Sequence, residues 1–301
     1  MDNTTWTSVS TCIHFVLLGI STHQQEKIPL FLLFLLMYTI NISGNVAIIT
    51  LTVSTPCLQT PMHIFLSNLA LADICFTSTM VPKMLQNIFS PTKAISFMGC
   101  LAQTYFFICF AAMENFLLAV MAYDRYITIC HPFRYPVILS RRLCAQMVAL
   151  CHMLSHLHAL LHTLLVGRLI FCADNRIPHF FCDLYPLMKI LCSSTHLNTL
   201  MIHTEGVIVI NGALAFIIAS YACIISAVLQ SPSAKGRWRD FSTCGSHLTV
   251  VALFYVATGH ILTAMYTVVT PMLNPFIYSL RNGDVKGAFR RWMRGLVFSE
   301  L

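Results

Sequence analysis

Long apolar stretches constrain this chain more than any other feature. Five of them, Pro29–Val53, Pro61–Leu85, Gly99–Ile129, Leu143–Gly167 and Leu197–Leu229, each reach the ~20 apolar residues that cross a bilayer as a helix. A sixth, Phe241–Leu280, is longer. Of 301 residues, 57% are hydrophobic and 10% charged, against roughly a quarter charged in a soluble domain. No single water-soluble core could bury that excess, so an all-α membrane bundle is predicted. It forms one domain over 1–301, with 1–28 as an outer tail, 29–280 as the helical bundle and 281–301 as an inner tail. The first residues, Met1 to Ser10, lack the basic and apolar regions of a signal peptide, so the first span is expected to insert as its own signal.

Orientation follows from the basic residues near the span ends. With the N-terminus outside, the inner segments hold Arg125, Arg134, Arg141, Arg142, Lys235, Arg237, Arg239, Arg281, Lys286, Arg290, Arg291 and Arg294. The outer segments hold only Lys27, Lys83, Lys93, Arg168, Arg176 and Lys189. The net charge of +7 thus reads as a surface facing the inner leaflet and membrane lipid, and nucleic acid is excluded as a partner. N-out with C-in demands an odd number of spans, so Phe241–Leu280 must supply two.

Four cysteines, Cys100, Cys172, Cys182 and Cys192, lie at the outer side, where an oxidising compartment favours two disulfides. Sequence alone leaves three pairings open. Asn3-Thr4-Thr5 is a glycosylation sequon in the outer tail, whereas Asn41-Ile42-Ser43 lies mid-span and is expected to be silent. Asp73, Glu114, Asp124, Arg125 and Glu205 fall at membrane depth or at a span end, where an isolated charge costs several kcal/mol and marks function or pairing. The fourth span carries His152, His156, His158 and His162. Spacing at i, i+4 puts the first two on one face and the last two on another. No third ligand is visible on either face, so hydrogen-bonded histidines are expected in place of a metal centre. Nothing resembles a nucleophile–base pair at a shared depth, and no enzyme is expected.

Specific motifs sharpen this picture. Met121-Ala122-Tyr123-Asp124-Arg125-Tyr126 with Ile129-Cys130-His131-Pro132, Pro61-Met62-His63-Ile64-Phe65-Leu66-Ser67-Asn68-Leu69, Phe241-Ser242-Thr243-Cys244-Gly245-Ser246-His247 and Pro271-Met272-Leu273-Asn274-Pro275-Phe276-Ile277-Tyr278-Ser279-Leu280 occur in order, after Gly44-Asn45. Together they resemble the olfactory receptor family of rhodopsin-like (class A) G-protein-coupled receptors. His179-Phe180-Phe181-Cys182-Asp183 is similar to the tetrapod class tuned to airborne odorants.

The resemblance implies a seven-transmembrane bundle in the plasma membrane that binds a small volatile odorant and activates a stimulatory olfactory-type G protein and cyclic-AMP signalling. It implies disulfides Cys100–Cys182 and Cys172–Cys192. Asn45, Asp73 and Glu114 would form a polar ion-and-water site, whose only cofactor would be a sodium ion at Asp73 and Glu114. Asp124, Arg125, Tyr126, Tyr221, His247, Asn274, Pro275 and Tyr278 would form the activation switch, with Arg125 facing Tyr221, His247 and Tyr278. Phe107, Ile108, Ala111, Ala112, Ile202, Glu205, Gly206 and Tyr255 would line the odorant pocket. A transporter or channel is disfavoured by these motifs and by the lack of an inverted repeat.

The chain departs from that pattern in four places. His152 stands where a tryptophan is usual, Asp240 precedes the Phe-Ser-Thr-Cys run, and Glu205 puts a carboxyl in the expected pocket. Most severely, roughly fifteen residues are missing between Tyr255 and Met265, although two crossings and a turn need roughly 40 apolar residues and a loop. Helices six and seven are therefore expected to be shortened by loss of the third outer loop. The alternative function is a non-signalling, truncated receptor-like product of a decayed gene, held in the endoplasmic reticulum.

Overall fold

A computed structural model describes residues 14–19, 24–169, 175–190, 192–230, 244–245, 247–255, 269–275, 277 and 287. Five of its helices are long and apolar enough to cross a membrane: α1 Lys27–Ser54, α2 Pro61–Phe89, α3 Phe97–Cys130, α4 Arg141–Gly167 and α5 His196–Gln230. They extend the sequence-predicted spans by a few residues at their ends. Two further helical segments, α6 at 247–255 and α7 at 269–275, join the bundle. The segment between Tyr255 and Met265, where the third outer loop is expected to be lost, and Asp240 lie outside the described residues.

Local chemistry sets the helix starts. Ser96 and Ser140 are N-caps whose side chains accept from the amides of Gly99 and Leu143, at 3.1 and 3.3 Å. Pro61 opens α2, where its missing N–H costs nothing. Along α1 and α5, Leu32, Leu36, Ile208 and Ile218 remain exposed. Lipid is as apolar as leucine, so such residues suit a bilayer and need no protein partner.

Helix α3 is the hub, packing against α2, α4 and α5, while α1 packs on α2. Around it an inner cluster gathers Phe65, Leu69, Leu117, Met121, Ile224 and Phe254. An outer cluster gathers Phe34, Phe76, Met80, Phe180 and Phe181. At Gly44 a Cβ would lie 3.0 Å from Cβ of Pro275. Only glycine lets α1 and α7 approach so closely.

A small sheet caps the outer end, an addition to the predicted all-α fold. Strand β1, His14–Leu17, lies between β2, Ala94–Ser96, and β3, Arg176–Ile177. It is antiparallel to β2, with His14 opposite Ser96, and parallel to β3, with Leu17 opposite Ile177. Alternation of side chains along β1 sends Phe15 and Leu17 to one face, where both are buried with Cys100, Ile177, Cys182 and Leu187. Gly19, at φ +82°, turns the chain away after the strand. Residues 14–17 of the N-terminal tail thus belong to this sheet; the sequon residue Asn3 lies outside the described residues.

Candidate functional site

Three polar assemblies stand out within the bundle. The first joins α1, α2, α3 and α7 at mid-depth. Asp73 is fully buried, and Asn274 Nδ2 donates to both its carboxylate oxygens at 2.9 and 3.2 Å. Asn41 Nδ2 donates to Thr77 Oγ1 at 2.6 Å, and Asn45 Nδ2 donates to Asn41 Oδ1 at 2.6 Å. Burial of Asn41 against α2 agrees with a silent sequon. Glu114 of α3, 2% exposed, brings its carboxyl within hydrogen-bonding reach of Asp73. Two carboxyls so placed cannot both carry charge unless a cation or a shared proton lies between them. Asn45 Oδ1, Glu114 Oε1 and Asn274 Oδ1 are buried and accept no hydrogen bond among the described residues. Hard oxygen donors of this kind fit a small cation.

The second assembly lies at the inner ends of α3, α5 and α6. His247 Nε2 meets the Leu118 carbonyl at 3.1 Å, and its Nδ1 meets the Tyr221 hydroxyl at 2.8 Å. A carbonyl only accepts, so in the neutral ring Nε2 carries the hydrogen and Tyr221 donates to Nδ1. The two rings also stack at 5.7 Å. Arg125 lies within electrostatic reach of both Tyr221 and His247. Asp124 makes no ion pair with Arg125 among the described residues. Its Oδ1 instead accepts from the hydroxyl of Tyr135 at 3.0 Å, in a short helical turn at Tyr135–Ile138. Burial and the adjacent Asp124 push the Tyr135 hydroxyl well above the ordinary tyrosine range, so it stays a donor. Tyr126 bonds His131 Nε2 at 3.3 Å. Pro275 is buried against Gly44, and Tyr278 lies outside the described residues.

The third assembly is the lid over the outer half. Cys100 at the start of α3 is joined to Cys182 by a disulfide across a separation of 82 residues. Gln103 Oε1 accepts from the Cys182 amide at 2.9 Å, and Thr104 Oγ1 donates to the Cys182 carbonyl at 3.0 Å. Cys192 is also disulfide-bonded; Cys172, its expected partner, lies outside the described residues. Phe181 of the lid meets Phe107 at 4.8 Å, and Phe107 stacks on Phe76 at 5.2 Å. Beside them His179 packs against Phe180 and Phe181, and burial lowers its pKa.

The odorant-pocket candidates have different neighbours among the described residues. Phe107 and Ala111 pack into the outer cluster with α2, the lid, Val269 and Met272. Ala112 is buried and Ile108 half-buried on α3. Tyr255 donates to Asn115 Oδ1 at 2.5 Å and to the Ile210 carbonyl at 3.4 Å. Asn115 Nδ2 in turn donates to the Val209 carbonyl at 3.2 Å. Asn115 thereby ties α3 to α5 and α6. Sequence reasoning missed it because an uncharged amide in an apolar span raises no electrostatic flag. An open groove of about 550 Å³ between α2 and α3, lined by Cys75, Ser78, Thr79, Ala102, Gln103 and Phe106, contains none of the candidates.

One expectation needs correction. Glu205, with Ile202 and Gly206, sits in a π-helical turn, Ile202–Gly206, and its carboxylate reaches the histidines of α4. There it accepts from or pairs with His158 Nδ1 at 3.2 Å and lies 3.5 Å from His162 Nε2. The second histidine pair therefore does have a third potential ligand, brought from the next span by packing. In the first pair His156 is hydrogen-bonded as predicted, its Nδ1 meeting the Tyr105 hydroxyl at 2.7 Å and Cys109 Sγ at 3.3 Å, and His152 stacks on it.

Comparison with known proteins identifies the family. Residues 34–295 match the family model described as olfactory receptor. Human olfactory receptor 1Q1 is 74% identical, covering 97% of this chain and 97% of its own length. Human olfactory receptor 1F1 is 50% identical over 99% of this chain and 100% of its own, and rat olfactory receptor 1f45 is 50% identical over 95% and 96%. The family is one of receptors and is not enzymatic. With a helical membrane bundle, the Cys100–Cys182 disulfide and matches of this extent, the chain belongs to the olfactory receptor family of class A G-protein-coupled receptors.

Proposed function

We propose that the chain is an odorant-binding receptor that spans the plasma membrane seven times, with its N-terminus outside, and activates a stimulatory olfactory-type G protein to raise cyclic AMP. The observation that carries this reading is the pair of hydrogen bonds from Asn274 to Asp73. They seat α7 against α2 in spite of the short connection that precedes it. Supporting it, His247 ties α6 to α5 through Tyr221 and to α3 through the Leu118 carbonyl. The domain layout, glycosylation at Asn3 and a Cys172–Cys192 disulfide belong to the same proposal.

A volatile ligand carries few polar groups, so its binding rests on burial of apolar area at about 25 cal/mol per Å². Micromolar to millimolar affinity corresponds to about −8 to −4 kcal/mol, and only the difference in affinity between two bundle states shifts their populations. Phe107, Ile108, Ala111, Ala112, Ile202, Gly206 and Tyr255 are the proposed lining. A sodium ion held by Asn45, Asp73, Glu114 and Asn274 would neutralise the paired carboxyls. Asn274 and Asn45 would orient those carboxyls in either state.

One observation favours a second reading, a non-signalling receptor-like product retained in the endoplasmic reticulum. The alignment with human olfactory receptor 1F1 runs over 314 positions, more than the 301 residues of this chain, so it must open gaps here. That supports a shortened outer end of α6 and α7. Tags at both termini, stained on intact and permeabilised cells, separate the readings. A surface N-terminal tag, a hidden C-terminal tag and an odorant-dependent cyclic-AMP rise support the receptor; a tag confined to the endoplasmic reticulum with no such rise supports the second reading.

A further inference from the structure

Outside the receptor machinery, α4 and α5 share a cluster that the family assignment does not absorb. His158 and His162 sit one turn apart on α4, and Glu205 faces them from α5. One donor atom from each lies within 4.8 Å of the other two. His158 Nδ1 lies 3.2 Å from Glu205 Oε1 and His162 Nε2 lies 3.5 Å from Oε2, so the two imidazoles face the two oxygens of one carboxylate, the donor types of a zinc site with two histidines and a glutamate. His162 is 3% exposed, and Glu205 Oε2, although buried, has no hydrogen-bond partner among the described residues. A buried carboxylate oxygen left unbonded beside an imidazole is costly, and a cation between them would satisfy both. A π-helical turn at Ile202–Gly206 carries Glu205, and such turns recur at functional sites.

We infer that His158, His162 and Glu205 form a binding site for a divalent transition-metal ion that staples α4 to α5, with a fourth coordination position left open. Two imidazoles and one carboxylate suit zinc, with copper(II) favoured in raw affinity by the general ordering of divalent ions. Magnesium and calcium, which prefer all-oxygen sets, fit poorly. The site does not depend on whether the chain signals, so its test stands apart from any odorant response. His152 and His156 supply an internal control, because they share the i, i+4 spacing but are not part of this three-donor cluster.

The experiment uses the full-length chain purified in lipid nanodiscs and titrated with zinc against a chromogenic chelator, with cobalt(II) as a spectroscopic substitute. One zinc per chain and a tetrahedral cobalt spectrum are expected. Glu205→Gln, which keeps size and polarity, and His162→Ala should each weaken zinc by at least ~10-fold, the scale seen already when a partner one shell further out is lost. His152→Ala with His156→Ala should leave it unchanged. Zinc should also raise the melting temperature of the unmodified chain, and not that of Glu205→Gln. Absence of stoichiometric zinc on the unmodified chain, or equal binding by Glu205→Gln, overturns the site. Loss of zinc only when His152 and His156 are replaced overturns it as well. X-ray absorption on the unmodified zinc-loaded chain gives a check that needs no variant: two imidazoles in the shell support the site, and none refutes it.

Discussion

The outer cap and the inner end of the bundle solve the same problem by different physics. At the cap, Phe15, Leu17, Ile177 and Leu187 are buried beside a disulfide and a three-stranded sheet. That region faces water, so hydrophobic burial stabilises it directly. Deeper in the bundle, apolar side chains exchange protein for lipid and gain little by it. Register there rests on single polar contacts: Asn274 to Asp73, Tyr221 to His247, Tyr135 to Asp124. A covalent, dry cap and an inner face closed by individual hydrogen bonds make a molecule that is clamped at one end and adjustable at the other.

Removing the clamp is the severest challenge to this contrast. Cys182→Ser is expected to cost roughly 2–5 kcal/mol and to abolish staining of an N-terminal tag at the cell surface. Near-normal staining would mean that the sheet and Gln103 hold the lid unaided. Phe15→Ala should destabilise the cap by about 3 kcal/mol, as for a large buried aromatic, read as a lower melting temperature in nanodiscs. If the same loss followed from an exposed lipid-facing residue such as Leu36→Ala, the distinction between water-driven and lipid-facing burial would collapse.

Polar contacts in the bundle should give smaller and coupled effects. Asp73→Ala leaves Asn274 without its acceptor and should cost about 1–3 kcal/mol. His247→Phe and Tyr221→Phe should each cost about 1 kcal/mol, and a double-mutant cycle should show the pair to be non-additive. Additivity within 0.3 kcal/mol, roughly the noise of independent sites, would mean that their 2.8 Å contact carries no energy. The smallest effect concerns pH. Burial lowers the His179 pKa in the folded cap, so the unfolded chain takes up the proton more readily. The stability contribution is full above about pH 6.5 and falls as pH drops below it. His179→Phe should flatten that fall in a melting-temperature series, and an unchanged series would assign the acid sensitivity elsewhere.

Sequence was most informative where one residue type carries one consequence. Apolar runs located α1 to α5 within a few residues, because a bilayer-length helix is nearly the only way such a run can satisfy its backbone. Charged residues at membrane depth, Asp73, Glu114, Asp124 and Arg125, were visible for the same reason. Asn115 was not, since an amide gains meaning only from its neighbours, and the strand at His14–Leu17 was hidden by its shortness.

What the sequence determined by itself is therefore the membrane class, the long helices and the family, all consequences of composition and local pattern. What the tertiary structure alone decided is which distant residues meet. Spacing left three pairings of the four outer cysteines open; the Cys100–Cys182 link that the resemblance implied is the one the packed structure forms. Glu205 was expected in a pocket among helices three, five and six, and packing brings its carboxylate to His158 and His162 of α4, a contact that no local pattern announced. Helical periodicity states the face a side chain occupies, but the partner of that face depends on how neighbouring helices rotate and pack, which no local pattern encodes.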